Sequence, residues 1–157
     1  MFYQQNHANA VTPAMAKKAL GKLLHRRDRN PLFHHLIGYI WKREFLQQRG
    51  YHFHLLLAFD GEHVQESAKL ALEIGNYWSV VATEGTGAFL DCKRYKDDFR
   101  SGGIGTLKGG NPKERQKFHK TLIYLTKTDY YISLVDGEHG RNLGKGQLSR
   151  SKKDPKR

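Results

Sequence analysis

Residues 51–59 read Tyr-His-Phe-His-Leu-Leu-Leu-Ala-Phe. A run this rich in aromatic and aliphatic side chains predicts a β-strand. Strand side chains alternate between faces, so His52 and His54 share one face while Phe53, Leu55, Leu57 and Phe59 share the other. The chain must therefore build a sheet with one face against a core and two imidazoles on the opposite face. Two neutral imidazole nitrogens commonly form half of a divalent-metal site. The plain alternative is a pair of packed histidines at a strand edge, and with nine histidines in the chain the spacing alone does not decide.

The neighbouring segment supplies a third ligand. Residues 36–44, Leu-Ile-Gly-Tyr-Ile-Trp-Lys-Arg-Glu, read as a second strand, and Gln47 to Gly50 turn the chain into the first. If position 44 pairs with 52, Glu44 joins His52 on its face and Lys42 sits opposite His54. A slip of one residue puts Glu44 on the wrong side. Glu44 is the preferred carboxylate, against a salt bridge to Arg43 or Arg49; Glu62, His63 and the acidic residues after the third strand compete as ligands. Two imidazoles and one carboxylate leave coordination positions open, as a catalytic metal requires. Mixed nitrogen and oxygen ligation suits Mn²⁺ or Mg²⁺ in service, and Zn²⁺, Co²⁺ or Ni²⁺ by affinity. His34 and His35, just before the second strand, read as loop residues.

Around this hairpin, helices and further strands follow one another along the chain. Residues 1–12 are weakly patterned and expected to be loose. Thr12-Pro13 opens a basic helix over 13–29 whose apolar stripe is Ala16, Ala19, Leu20, Leu23 and Leu24, and Asn30-Pro31 stops it. Asp60-Gly61 turns the chain into a helix over 63–76. Residues 77–83, Tyr-Trp-Ser-Val-Val-Ala-Thr, read as a third strand and 86–91 as a fourth. Residues 92–110 are charged and Gly-rich, expected to be mobile and to line a substrate path. Asn111-Pro112 opens a helix over 112–128 with Phe118, Leu122 and Leu125 as its core seam. Beside that seam Lys117, Lys120, Tyr124, Lys127 and Tyr131 fall within a sector of roughly 80°. Residues 130–135 suggest a final strand. One domain over 1–140 and a basic, disordered tail over 141–157 are expected.

The 157 residues carry a net charge of +12, and its distribution is uneven. Residues 17–29 hold a net +5 and residues 141–157 a net +6, which leaves a nearly neutral body. Basic segments on such a body point to a polyanion, most often nucleic acid. Lys42, Arg43, Lys117, Lys120, Lys152 and Lys153 are the candidate contacts. No run approaches the roughly 20 apolar residues of a membrane span, and no secretory leader is expected. The single cysteine, Cys92, fits a reducing compartment.

Tyr124-Leu-Thr-Lys127 places a phenol and an ammonium one helical turn apart. A phenol near pKa 10 is a poor nucleophile until its charged form is stabilised. Lys127 and a metal supply that stabilisation, and the ammonium also suits a scissile phosphate. Tyr130 and Tyr131 are alternative nucleophiles, and Asp129 has no assigned role. The bland reading of the pair is a flanking tyrosine and a surface lysine.

A strand with His-hydrophobic-His followed by a helix with Tyr-x-x-Lys resembles the HUH endonuclease superfamily. The closer resemblance is to the replication proteins of filamentous phages, the inovirus, YagK/YfjJ-type family. Residues 38–44, 51–61 and 124–130 carry it, with Gly140-Arg-Asn-Leu-Gly-Lys-Gly146 in support. It covers roughly residues 20–146. It implies an α+β fold with helices packed on an antiparallel sheet and the His-x-His strand at its centre, His52 and His54 as ligands of Mn²⁺ or Mg²⁺, and Tyr124 as nucleophile. The implied reaction is nicking and joining of single-stranded DNA at a replication origin, initiating rolling-circle replication of a phage or prophage. The implied setting is a bacterial cytoplasm, with host replication machinery as a further partner. Such proteins carry an additional strand before the segment that opens here. Either Met1–Gln5 supplies a poor substitute for that strand, or the chain is truncated at its N-terminus. Rival expectations are a catalytically impaired DNA-binding remnant of the same fold, and an unrelated basic nucleic-acid-binding domain with structural histidines.

Overall fold

The structure is a computed structural model and describes residues 1–25, 29–91, 105–108, 110–126 and 141–146, with the side chains of Tyr124 and Thr126 set aside. Its centre of gravity is an antiparallel hairpin of β2 (Leu36–Leu46) and β3 (Gly50–Phe59). Leu46 pairs with Gly50 across a three-residue turn. Three-residue hairpin turns commonly need a left-handed residue, and Gly50 supplies it with φ +65°. A side chain at Gly50 would also bring its Cβ to 2.9 Å from the Ala8 carbonyl oxygen. The turn thereby fixes the register, and Glu44 pairs with His52 and Lys42 with His54.

Three short strands complete a five-stranded sheet in the order β4-β1-β3-β2-β5. β1 (Phe2–Tyr3) lies against β3 with Phe2 opposite His52. The Met1 ammonium donates to the Phe53 carbonyl at 2.9 Å, and the Phe53 N–H donates to the Met1 carbonyl at 2.7 Å. The opening residues are thus not loose: they form β1 and a short helix α1 (Gln5–Ala8). β4 (Gly87–Ala88) pairs with β1. It is all that the described residues show of the strand expected over 86–91.

One sheet face carries the core. α2 (Pro13–His25) starts at Thr12, whose Oγ1 accepts from the Met15 N–H at 3.2 Å. It buries the five apolar residues that its sequence spacing marks. These pack with Phe33, Tyr51, Phe53, Ile74 and Trp78. Tyr51 and Phe53 are the odd-numbered face of β3, so period-2 alternation leaves His52 and His54 on the other side.

The segment expected as a third strand is helical. α3 (Ser67–Tyr77) continues without interruption into a π-helical turn, Trp78–Ala82. Buried Ile74, Gly75, Trp78 and Ala82 mark a helical stripe, whereas Val80 and Val81 are exposed. Strand propensity at those valines is overridden by burial of Trp78, which stands edge-on to Tyr3 and Phe53 at 5.7 and 5.6 Å. Its Nε1–H donates to the Phe2 carbonyl at 3.1 Å. Thr83 closes the wide turn, its hydroxyl lying 2.8 Å from the Trp78 carbonyl.

The expectation of a disordered tail from residue 141 fails for its first part. β5 (Leu143–Lys145) pairs antiparallel with β2. It is held by glycines that let backbone lie flat on rings. A Cβ at Gly144 would fall 2.5 Å from the Trp41 ring, and one at Gly146 would fall 2.0 Å from the Tyr39 ring. Residues 92–104, the proposed strand 130–135 and residues 147–157 lie outside the described residues.

α4 (Pro112–Thr126) is capped by Asn111, whose Oδ1 accepts from the Lys113 N–H at 3.0 Å. It contacts β2. Its Leu125 is buried but stands outside the cluster built by α2 and α3. Among the described residues no helix is long and apolar enough to cross a membrane.

Candidate metal centre

β2 and β3 bring Glu44, His52 and His54 together on the face opposite the core. The Nε2 atoms of His52 and His54 lie 2.9 and 3.0 Å from the same carboxylate oxygen, Glu44 Oε2. The three candidate ligand atoms all lie within 4.8 Å of one another. Two ligands held at about 2.1 Å from one cation at a right angle stand about 3.0 Å apart. The two Glu44–imidazole spacings therefore suit adjacent corners of a coordination shell. The donor set, two imidazole nitrogens and a carboxylate oxygen, suits a divalent transition ion or Mg²⁺. Among the described residues no other group of three or more His, Cys, Asp or Glu gathers in this way.

The site is half-buried, with side-chain exposures of 19% for Glu44, 17% for His52 and 26% for His54. Contacts from His52 first, then His54, hold the Glu44 carboxyl far below its ordinary value of 4.5. Burial opposes that shift and Lys42 reinforces it. On the far side of the His52 ring, Nδ1 faces the Gly50 carbonyl at 3.5 Å. Backbone carbonyls placed there orient metal-binding imidazoles by accepting the second ring N–H.

The competing ligands stand elsewhere. Glu62 and His63 follow the end of β3, where the His63 Nδ1 bonds Asp60 Oδ2 at 3.1 Å. The His63 ring stacks on His35 at 4.4 Å. Neither joins the Glu44 group.

Two expected nucleic-acid contacts are not surface cations. Arg43 is 4% exposed and lies on the core face, donating to Asn142 Oδ1 at 3.1 Å with its guanidinium 5.7 Å from the Tyr51 ring. Alternation decides this: when Glu44 faces the imidazoles, its neighbour Arg43 must face the helices. Lys42 is 7% exposed, and its Nζ is bonded to Glu44 Oε1. The sequence carries a signal for that pair, since residues two apart on a strand share a face, but the signal does not separate an ion pair from a free cation.

Lys117 and Lys120 are exposed on α4. Tyr124 lies in the last turn of α4, on the helix that contacts β2. Lys127, Lys152 and Lys153 fall outside the described residues, as do Tyr130 and Tyr131.

The chain matches no curated protein and no solved structure. Residues 14–103, more than half of its length, match the YagK/YfjJ C-terminal domain family. The matched stretch contains the hairpin and all three candidate ligands, and it ends before α4. By that match the chain belongs to the YagK/YfjJ C-terminal domain family.

Proposed function

We propose that the protein is a metal-dependent nuclease that nicks and rejoins single-stranded DNA through a tyrosine nucleophile, and so initiates rolling-circle replication of a phage or prophage. The observation that carries this reading is the convergence of Glu44 Oε2, His52 Nε2 and His54 Nε2 on the sheet face away from the core. Glu44, His52 and His54 would hold the cation, Mn²⁺ or Mg²⁺. A cation there supplies Lewis-acid polarisation of a phosphate and neutralises charge that builds up on it.

The chain's own groups do the rest. Tyr124 is the nucleophile: its phenolic oxygen bonds to the scissile phosphorus as the bond from phosphorus to the 3′ oxygen breaks. The 3′ oxygen leaves as a hydroxyl with a proton, and the 5′ phosphate stays on the tyrosine. Attack by a 3′-hydroxyl on that linkage reverses the step and rejoins the strand. Lys127, three residues after Tyr124, stabilises the phenolate. Lys117 and Lys120 on α4 and Lys152 and Lys153 in the tail attract the phosphodiester backbone. α4, the helix on which Tyr124 lies, contacts β2, the strand that carries Glu44.

The test is incubation with labelled single-stranded oligonucleotides and Mn²⁺, followed by denaturing electrophoresis. A covalent adduct is expected with the native chain and lost in Tyr124→Phe and with chelator. Retention of the adduct in Tyr124→Phe moves the nucleophile to Tyr130 or Tyr131. DNA binding with no adduct from the native chain refutes the enzymatic reading in favour of a DNA-binding remnant.

A further inference from the structure

Lys42 has no part in the reading above, yet it is the side chain that divides the Glu44 carboxylate in two. It lies two residues before Glu44 on β2 and opposite His54 on β3. Its side chain is 8% exposed. Its Nζ bonds Oε1, while both imidazoles face Oε2. One oxygen is therefore committed to an ammonium and the other to the candidate ligand cluster.

We propose that Lys42 is a positioning residue that sets the denticity and the charge of this metal centre; the inference rests on reading Glu44, His52 and His54 as ligands. With Oε1 held by Lys42, Glu44 offers a cation one oxygen rather than two, which keeps an additional coordination position open. The ammonium also cancels the carboxylate charge. Two neutral imidazoles, one carboxylate and one ammonium sum to zero, so a divalent ion bound there keeps its whole charge for an anionic oxygen of the substrate. Charge on a metal's ligands governs both its affinity and its pull on further anions. The site gives up metal affinity and gains attraction for phosphate. Burial enforces the arrangement, because a lysine this inaccessible has no water to take the place of its carboxylate partner.

The experiment is titration of the metal-free protein with Mn²⁺, read as free Mn²⁺ by electron paramagnetic resonance, for the native chain, Lys42→Met and Lys42→Gln, each with and without His52→Ala. Circular dichroism confirms that each variant is folded. Lys42→Met, which frees Oε1 and removes the positive charge, is expected to tighten Mn²⁺ binding at least tenfold. Lys42→Gln keeps a neutral donor on Oε1 and is expected to tighten it by a smaller factor, which separates charge from denticity. Adding His52→Ala abolishes the gain. A merely structural role predicts the opposite sign, since a loosened site binds metal more weakly. Native binding that depends on His52 but is unchanged or weakened in both folded Lys42 variants overturns this inference and leaves the metal centre standing. No His52-dependent binding in the native chain or in either Lys42 variant overturns both.

Discussion

Replacing Glu44 by glutamine tests the site without any metal. In chelator, the substitution takes the negative charge from three contacts, those with Lys42, His52 and His54. Contacts to a charged group are worth roughly twice as much as neutral ones, a difference of about 1 kcal/mol each. The amide can also accept through one oxygen only, so its NH₂ end faces a former donor. Removing one partner of a fully buried ion pair costs about 3–5 kcal/mol, and an exposed pair is worth less than about 1. With Glu44 19% exposed and Lys42 8% exposed, the site stands nearer the buried limit. Glu44→Gln is therefore expected to destabilise the metal-free fold by about 2–3 kcal/mol at pH 7. In a Lys42→Met background, where no ammonium is stranded, the cost should fall by about 1–2 kcal/mol, as coupled neighbours require. Urea unfolding followed by tryptophan fluorescence measures both legs of the cycle. A loss under about 0.5 kcal/mol for Glu44→Gln, or the same loss in both backgrounds, would refute the claim that this carboxylate is the hub of a half-buried charge cluster.

Three further outcomes follow from other parts of the molecule. The Tyr3 hydroxyl is buried without a hydrogen-bond partner among the described residues, and burial pushes its pKa from 10.0 to about 12. Because the folded value is the higher one, the group's titration leaves stability untouched below pH 10.0 and lowers it as pH rises from there toward about 12. Tyr3→Phe should thus stabilise the fold at pH 7 by about 1 kcal/mol and flatten its alkaline decline, as measured by thermal melts across pH; a destabilised variant counts against the burial argument. Gly144→Ala should cost about 1–3 kcal/mol by forcing Trp41 and β5 apart, with faster hydrogen exchange at the Arg43 amide, and protection equal to the native chain would show that β5 does not need the glycine. If α4 faces DNA, Lys117→Gln with Lys120→Gln should shallow the slope of log affinity against log salt by about 1.4, and an unchanged slope would remove α4 from the interface.

The hairpin's register was not legible, because it rests on the left-handed turn at Gly50 that brings Glu44 to His52. Its faces were legible, since strand alternation separates the histidines from Phe53. The five buried positions of α2 were legible for the same reason, since Ala16 to Leu24 repeat at helical spacing. Trp78–Ala82 was not legible, because local propensity and burial disagree there. Its valines favour a strand, but the side chain that decides the segment is Trp78, whose partners Tyr3 and Phe53 are distant in sequence. β5 was hidden differently. Leu143-Gly-Lys145 has no strand signature of its own and exists because Trp41 and Tyr39 offer flat surfaces that glycine can approach. At the candidate site, the shared face of His52 and His54 could be inferred from residue type and spacing. The burial of Lys42 and Arg43 could not, because +12 overall charge makes any lysine or arginine look like a surface contact.

Phe53 separates the two imidazoles along β3, and its own ring is wedged against Trp78, which in turn is tied to the backbone at Phe2. The strand that presents the two imidazoles is thus braced from behind by a buried aromatic group. A heat-sensitive form of this molecule is best sought at the hidden tryptophan, whose loss would remove that brace, rather than on the polar face of the hairpin.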